Sequence, residues 1–253
     1  MQIRILGCGP SYGVPSLNRG FGNCDPTNPK NFRLRSSVLI RDKGTNILID
    51  SGPEVRLQLL YAGRPKLNAV LYTHEHYDHM GGADDLRSIV AQQENASLPV
   101  YLPKSALTHF KNMLEYIFQP HTQGTNVFSI NTIRPYHSFQ VNDVQILPIL
   151  QRHGNGTSIG YRIGDFAYST DVISMGEKAF RSLQGVKVWI LGVVTPIPNN
   201  KHINIATALK WIERVKPERA YFTHMGLRMD YERLCSELPP NIRPVYDGME
   251  IEI

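Results

Sequence analysis

The feature that most constrains this chain is a nine-residue run, Leu71-Tyr72-Thr73-His74-Glu75-His76-Tyr77-Asp78-His79, followed by Met80-Gly81-Gly82. Four ligand-type side chains, His74, His76, Asp78 and His79, crowd into one short loop. Residues 69–72, just before it, read as a buried strand. Imidazole and carboxylate donors together suit Zn, Fe or Mn. A loop at the C-terminal end of a strand lies where sites form in open α/β sheets. His74 and His76 can reach one ion; Asp78 and His79, further round the turn, can reach a second.

Around this loop, β-type and helical segments interleave from end to end. Strands are expected at 3–6, 37–41, 46–50 and 69–72, with Asp42-Lys43-Gly44-Thr45 as a hairpin turn. Helices follow at 84–93 and 104–117. A second set of strands is expected at 143–149, 158–163, 166–169 and 186–191, with a tight hairpin at Gly164-Asp165. The rest reads as helix 203–215, strand 220–223, helix 230–237 and strand 250–253. With 42% hydrophobic and 19% charged residues the chain suits a packed core. It shows no repeat, low-complexity tract or linker, so one domain over 1–253 is expected. Strands followed by alternating strand and helix, twice over, predict an α/β fold: two sheets face to face with helices outside, a four-layer α/β/β/α sandwich.

Charge and cysteine usage narrow the setting. Lys and Arg number 27 against 22 Asp and Glu, a net +5 that fits an anionic substrate. No block of five or six like charges argues for nucleic acid. No apolar run approaches the 18 residues of a membrane span, and residues 1–6 hold no long apolar signal region. Cys8, Cys24 and Cys235 lie far apart, which excludes a disulfide scaffold and fits a reducing cytoplasm.

The motifs before and after the histidine loop come in an order that resembles the metallo-β-lactamase fold superfamily of binuclear metal hydrolases. Leu48-Ile49-Asp50-Ser51-Gly52 resembles the superfamily's strand ending in Asp-x-Gly. There Asp50 would anchor the metal loop through backbone amides or a ligand histidine. His153 sits where the third histidine of the first metal belongs, Asp171 where the bridging carboxylate belongs, and His224 where the last histidine of the second belongs. The resemblance implies two divalent ions per chain, Zn or Mn foremost with Fe open. His74, His76 and His153 would hold one, Asp78, His79 and His224 the other, with Asp171 shared. It implies a bridging water brought to hydroxide near neutrality, oriented by Asp78, which is thus also a catalytic residue. Neutral imidazoles are needed, so affinity should fall in acid. His76 stands where flavin-partnered di-iron oxidoreductases usually carry glutamate, which argues against that class.

The opening Leu6-Gly7-Cys8-Gly9-Pro10-Ser11-Tyr12-Gly13-Val14-Pro15 resembles a phosphodiesterase branch of the superfamily. That branch includes the cyclic phosphodiesterase of the carbon–phosphorus lyase pathway and, more distantly, tRNase Z. Asp84-Asp85-Leu86-Arg87, Asn200-Lys201-His202-Ile203-Asn204 and Asp247-Gly248-Met249-Glu250 resemble it too. The resemblance implies hydrolysis of a small cyclic or nucleotide-like phosphodiester, with His202 protonating the leaving oxygen; otherwise His202 is a surface histidine at a helix start. A tRNase Z-like nuclease and a thioester or lactam hydrolase remain open, as does a metal-bearing scaffold without turnover, against which the intact ligand set argues. The long insertion that grips tRNA in many tRNase Z enzymes is not apparent. Family likeness also implies a homodimer. Only Cys24 follows Gly-Val-Pro, and Met225-Gly226-Leu227 after His224 holds no histidine, so the branch's structural zinc is not expected. The basic loop 28–35 either faces substrate or is solvated surface. Cys8 reads as buried packing, and His109, His121 and His137 as structural or exposed.

Overall fold

The computed structural model describes residues 1–91, 97–118 and 127–253. Period-2 patterning explains its sheets. In β1 (Gln2–Gly7), Ile3 and Ile5 point to one core and Leu6 to another. In β2 (Ser37–Asp42), Val38 and Ile40 share the face of Ile3, while Leu39 turns outward. β3 (Thr45–Ile49) and β4 (Ala69–Leu71) repeat this, with Leu48 and Val70 outward. Both faces are buried, so these strands read as continuous apolar runs. β5 (Leu98–Pro103), β6 (Phe128–Ile133) and β14 (Glu250–Glu252) complete a sheet ordered β14-β1-β2-β3-β4-β5-β6.

The second sheet is ordered β13-β12-β11-β10-β9-β8-β7. Its strands are β7 (Phe139–Val141), β8 (Val144–His153), β9 (Gly156–Ile163), β10 (Phe166–Ser169), β11 (Val188–Gly192), β12 (Arg219–Thr223) and β13 (Ile242–Pro244). Each sheet is antiparallel on one side and parallel on the other, β3 to β6 in the first and β10 to β13 in the second. The inner faces pack together. Helices α1 (Val55–Tyr61) and α4 (Leu107–Met113) cover the outside of the first sheet through Val55, Leu59 and Phe110. α5 (Glu177–Leu183), α6 (Ile205–Val215) and α7 (Tyr231–Glu237) cover the second through Ala179, Ile212 and Leu234. This is the expected α/β/β/α sandwich. Among the described residues no helix is long and apolar enough to cross a membrane.

Local expectations held unevenly. The hairpin turn forms with Asp42 opposite Thr45. Lys43 and Gly44 take φ of 48° and 72°, the pair of positive values that a type I′ turn requires. β5, β6, β7, β13, α1 and α5 were not expected. The predicted helix 84–93 breaks into a 3₁₀ turn (Ala83–Leu86) and α3 (Arg87–Ala91), and its end at 92–93 lies outside the described residues. The predicted helix 104–117 keeps α4 between 3₁₀ turns at Lys104–Ala106 and Glu115–Ile117.

Candidate metal centre

The loops that follow the parallel strands meet at one edge of the sandwich. Asp50 directly follows β3, and the histidine loop follows β4 by way of Tyr72 and Thr73. Asp171 lies two residues past β10, and His224 directly follows β12. Asp50, Asp171 and His224 all take left-handed backbone, with φ of 63°, 50° and 56°. Such positions cost about 1–3 kcal/mol each and persist where surrounding structure holds them. His76 precedes α2 (Tyr77–Met80), whose first turn carries Asp78 and His79.

Asp50 fixes the loop from below. Its buried carboxylate accepts from the Thr73 amide at 2.8 Å, the Thr73 hydroxyl at 2.9 Å and His79 Nδ1 at 2.7 Å. Backbone bonds finish the anchor: Ser51 N to His79 O at 2.7 Å and Gly82 N to Ser51 O at 2.9 Å. This approach leaves no room for side chains. A Cβ on Gly52 would sit 2.3 Å from Asp78 O, and one on Gly82 would sit 2.1 Å from Gly52 O.

The structure gathers every sequence-predicted site residue. Three groups each bring their donor atoms within 4.8 Å of one another: His74, His76 and His153; His74, His79 and Asp171; and Asp78, His79 and His224. A fourth group joins His153, Asp171 and His202. Asp171 lies between them with its two oxygens turned to different partners. Oδ1 is 3.6 Å from His153 Nε2 and 3.6 Å from His202 Nδ1. Oδ2 is 3.0 Å from His79 Nε2 and 3.3 Å from His224 Nε2. Asp78 Oδ2 is 3.2 Å from His79 Nε2 and 3.4 Å from His224 Nε2. All of these are buried except His76, which is exposed, and His202, which is half-buried.

These donors suit a divalent cation. The buried Nε2 atoms of His74 and His79 have no hydrogen-bond partner, and His79 Nε2 faces two carboxylates without hydrogen-bond alignment. Protonation preferences agree. Burial lowers His74 well below the usual imidazole range, with His79 adding to it, and burial likewise lowers His153. Burial also disfavours a charge on His79, but Asp78, Asp171 and Asp50 outweigh it and hold a proton there well above the ordinary value. Burial works against ionised Asp78 and Asp171 too; the imidazoles around them prevail and keep both carboxyls far below the ordinary range. Burial pushes Asp50 up, while His79 and Thr73 pull it back.

Sequence reading missed the groups that aim these donors. Thr73 Oγ1 lies 3.0 Å from His74 Nδ1, Thr170 donates to Asp171 Oδ2 at 2.7 Å, and the Lys201 carbonyl holds His153 Nδ1 at 3.1 Å. Each neighbours a motif residue in sequence, the only available signal. The three cations of the basic loop are engaged within the fold. Arg33 turns inward and is buried, donating to Asn31 Oδ1 at 2.9 Å and to Met229 O at 2.6 Å. Lys30 packs 4.3 Å over the Tyr231 ring, and Arg35 pairs with Glu54. The glycine-rich opening packs on this segment: a Cβ on Gly7 would meet Arg35 O at 2.1 Å. Cys8 is buried, as expected. His109 and His137 are exposed, and His121 lies outside the described residues.

A sandwich that gathers six imidazoles and two carboxylates at the loop edge of both sheets defines a class, the metallo-β-lactamase fold hydrolases, built to bind divalent metal. The beta-lactamase superfamily domain model matches residues 45–225, and the chain belongs to that superfamily. A relative from Porphyromonas gingivalis named octanoyltransferase is 34% identical over 254 residues, covering 99% of this chain and 51% of its own length. A ribonuclease Z from Methanopyrus kandleri is 26% identical over 137 residues, covering 53% of this chain and 46% of its own length. The chain thus spans about half the length of these two relatives. Among solved structures, a new diphosphatase from the PhnP family is 28% identical with a TM-score of 0.93, covering 100% of this chain and 96% of that one. The short form of human tRNase Z, at 19% identity and TM-score 0.72 over 100% of this chain and 99% of its own, shares the fold.

Proposed function

We propose that the chain, acting as one domain, is a binuclear metal-dependent phosphodiesterase for a small phosphodiester. The observation that carries this is Asp171, whose two oxygens face two separate donor groups. His74, His76 and His153 would hold one divalent ion, Zn or Mn, and Asp78, His79 and His224 the other. Two such ions supply an activated water and offset charge on the phosphoryl oxygens. The chain's own residues then orient and protonate. Asp50 accepts from His79 Nδ1, which leaves Nε2 as the nitrogen that would bind metal once its proton is released. His202 would protonate the leaving oxygen, and its backbone N–H is held by Asn199 Oδ1 at 2.8 Å. Burial brings His202 down to about 4, with Asp171 opposing, so its imidazole is neutral at rest. The negative charge of a bound phosphodiester favours the imidazolium, so the proton that His202 would give the leaving oxygen is taken up from solvent as substrate binds. Likeness to the diphosphatase over the whole chain supports phosphoryl chemistry. The octanoyltransferase name of one relative makes a thioester the sharpest competing substrate.

Metal-loaded protein should be offered bis(p-nitrophenyl) phosphate, a cyclic phosphodiester, a tRNA precursor, a thioester and a β-lactam. Phosphodiesters should be turned over fastest, and a thioester preferred by roughly tenfold overturns the reading. Cleavage confined to the tRNA precursor moves it to the ribonuclease. His202→Ala should keep metal and lose roughly 10²–10⁴-fold on a poor leaving group, but far less on p-nitrophenyl esters. An unchanged dependence of rate on leaving-group pKa removes His202 as the acid.

A further inference from the structure

The turn that carries Asp171 is held by its carbonyls. Thr170 O accepts from Gln151 Nε2 at 3.0 Å, Asp171 O from Ser158 Oγ at 2.8 Å, and Val172 O from the Ile203 amide at 2.9 Å. Three consecutive carbonyls are thus satisfied, the first two by side chains. Gln151 lies in β8 with Ser158 directly opposite in β9, and both are buried. Gln151 Nε2 also donates to Ser158 Oγ at 3.0 Å. An amide nitrogen has two protons to donate and a hydroxyl one. Gln151 directs one to Thr170 O and the other to the Ser158 hydroxyl. That hydroxyl, already accepting, turns its own proton to Asp171 O. The chain of bonds runs one way, and each link orients the next.

The neighbouring backbone is bare where this pair and the turn sit. A Cβ on Gly160 would stand 2.5 Å from Gln151 Oε1, and one on Gly192 would stand 3.1 Å from the Asp171 nitrogen. Gln151 Oε1 itself is buried with no hydrogen-bond partner among the described residues. An orphaned buried oxygen is destabilising, and here it accompanies a nitrogen that serves two bonds. Asp171 takes φ of 50°, and left-handed backbone in a residue with a side chain persists only where its surroundings hold it. Residues alternate faces along a strand, so Gln151 shares its face with His153, two positions on. One stretch of β8 therefore carries both a donor of the cluster and the brace of the carboxylate whose Oδ1 lies 3.6 Å from that donor. Ser169 offers a contrast. Its hydroxyl is equally buried but serves the Trp189 indole, accepting from Nε1 at 3.1 Å.

We infer that Gln151 and Ser158 are positioning residues for the shared carboxylate: they fix the Asp171 turn so that its two oxygens face two separate donor groups. This rests on the binuclear reading and names the groups, remote from the reacting atoms, that set the bridge.

The test is a titration of metal-free protein with Mn(II), followed by calorimetry and by electron paramagnetic resonance, with a thermal melt of each variant. Wild type should take two ions, and at saturation their spins should be coupled, as expected of ions that share a carboxylate. Ser158→Ala removes the hydroxyl that holds Asp171 O. Gly160→Ala displaces the Gln151 amide without altering the turn itself. Each should weaken binding of the second ion roughly tenfold and raise the share of uncoupled Mn(II) at two equivalents. Ser169→Ala loses a buried hydrogen bond of the same kind and should keep wild-type affinity and coupling, whatever it does to the melt. Wild-type affinity and coupling in either Ser158→Ala or Gly160→Ala, whichever folds, overturns the inference. So does an equal loss in Ser169→Ala, which would reduce the pair to general packing. If wild type itself holds one ion, or two uncoupled ions, the shared-carboxylate reading falls and takes the positioning role with it.

Discussion

Replacing Asp50 by Asn tests how the centre is aimed, because it keeps volume and removes one of the two oxygens that accept from three buried donors. The native carboxylate takes the Thr73 amide on Oδ1, and the Thr73 hydroxyl and His79 Nδ1 on Oδ2. An Asn amide has two placements there. With its NH₂ toward His79, Nδ1 must become an acceptor and the ring proton moves to Nε2, the nitrogen 3.0 and 3.2 Å from Asp171 and Asp78. With its NH₂ toward the Thr73 amide, two buried donors face each other at about 1–3 kcal/mol. The first placement blocks metal directly; the second weakens the hold on the loop. Metal affinity should fall about 10–100-fold, or about 1.4–2.8 kcal/mol. Metal-free protein should lose about 1–3 kcal/mol in denaturant unfolding. Chelator competition on wild type and Asp50→Asn reads the affinity. A variant that binds both ions at wild-type strength refutes the claim that Asp50 sets the His79 tautomer.

Asp171→Asn should lower the metal content from two ions per chain toward one, measured by elemental analysis; two ions retained at wild-type affinity counts against a shared carboxylate. Metal binding should release about one proton from His79 near neutral pH, since its folded pKa is raised above 6.5 whereas His74 and His153 are lowered and already neutral. Affinity should therefore rise with pH while His79 remains protonated in the metal-free site, and calorimetry in buffers of different ionisation enthalpy checks both; a flat profile from about pH 6 to 8 contradicts it. Gly82→Ala should destabilise the fold by at least about 1–3 kcal/mol and displace the metal loop, because its Cβ would sit 2.1 Å from the Gly52 carbonyl; a wild-type melt with full metal content would show that the anchor yields.

The histidine loop and the strands below it were legible because each signal was local. A β-type run ended where polar ligands began, and Lys43-Gly44 named its own turn. What escaped lacked such a signal. β5 begins Leu98-Pro99 and ends at Pro103, so its prolines hid a strand that pairs with β4 and β6. α5 starts after Gly176 and α1 after Glu54, neither with a side-chain cap hydrogen bond to announce it. α6 was placed two residues early; Asn204, which accepts from Thr207 N at 3.0 Å, is its cap. Arg33 looked like one cation in a basic loop, and only the tertiary fold shows it buried among carbonyls. The donors from distant loops, His153, Asp171 and His224, were placed by the order of motifs, because local pattern says nothing of what meets across the sandwich.

The centre draws on both sheets: the first gives Asp50, His74, His76, Asp78 and His79, the second His153, Asp171, His202 and His224. Occupancy is therefore thermodynamically linked to how firmly the two halves stay docked at that edge. Ions that bind only the docked form tighten it in proportion to their affinity. Ile159, whose amide reaches across the seam to Thr73 O at 2.8 Å, is a built-in reporter. On chelation its hydrogen exchange should quicken well ahead of amides inside β2, whose partners all lie within one sheet. The same linkage makes the metal supply of a cell a determinant of this protein's lifetime as well as of its activity, since an opened seam is what a protease finds first.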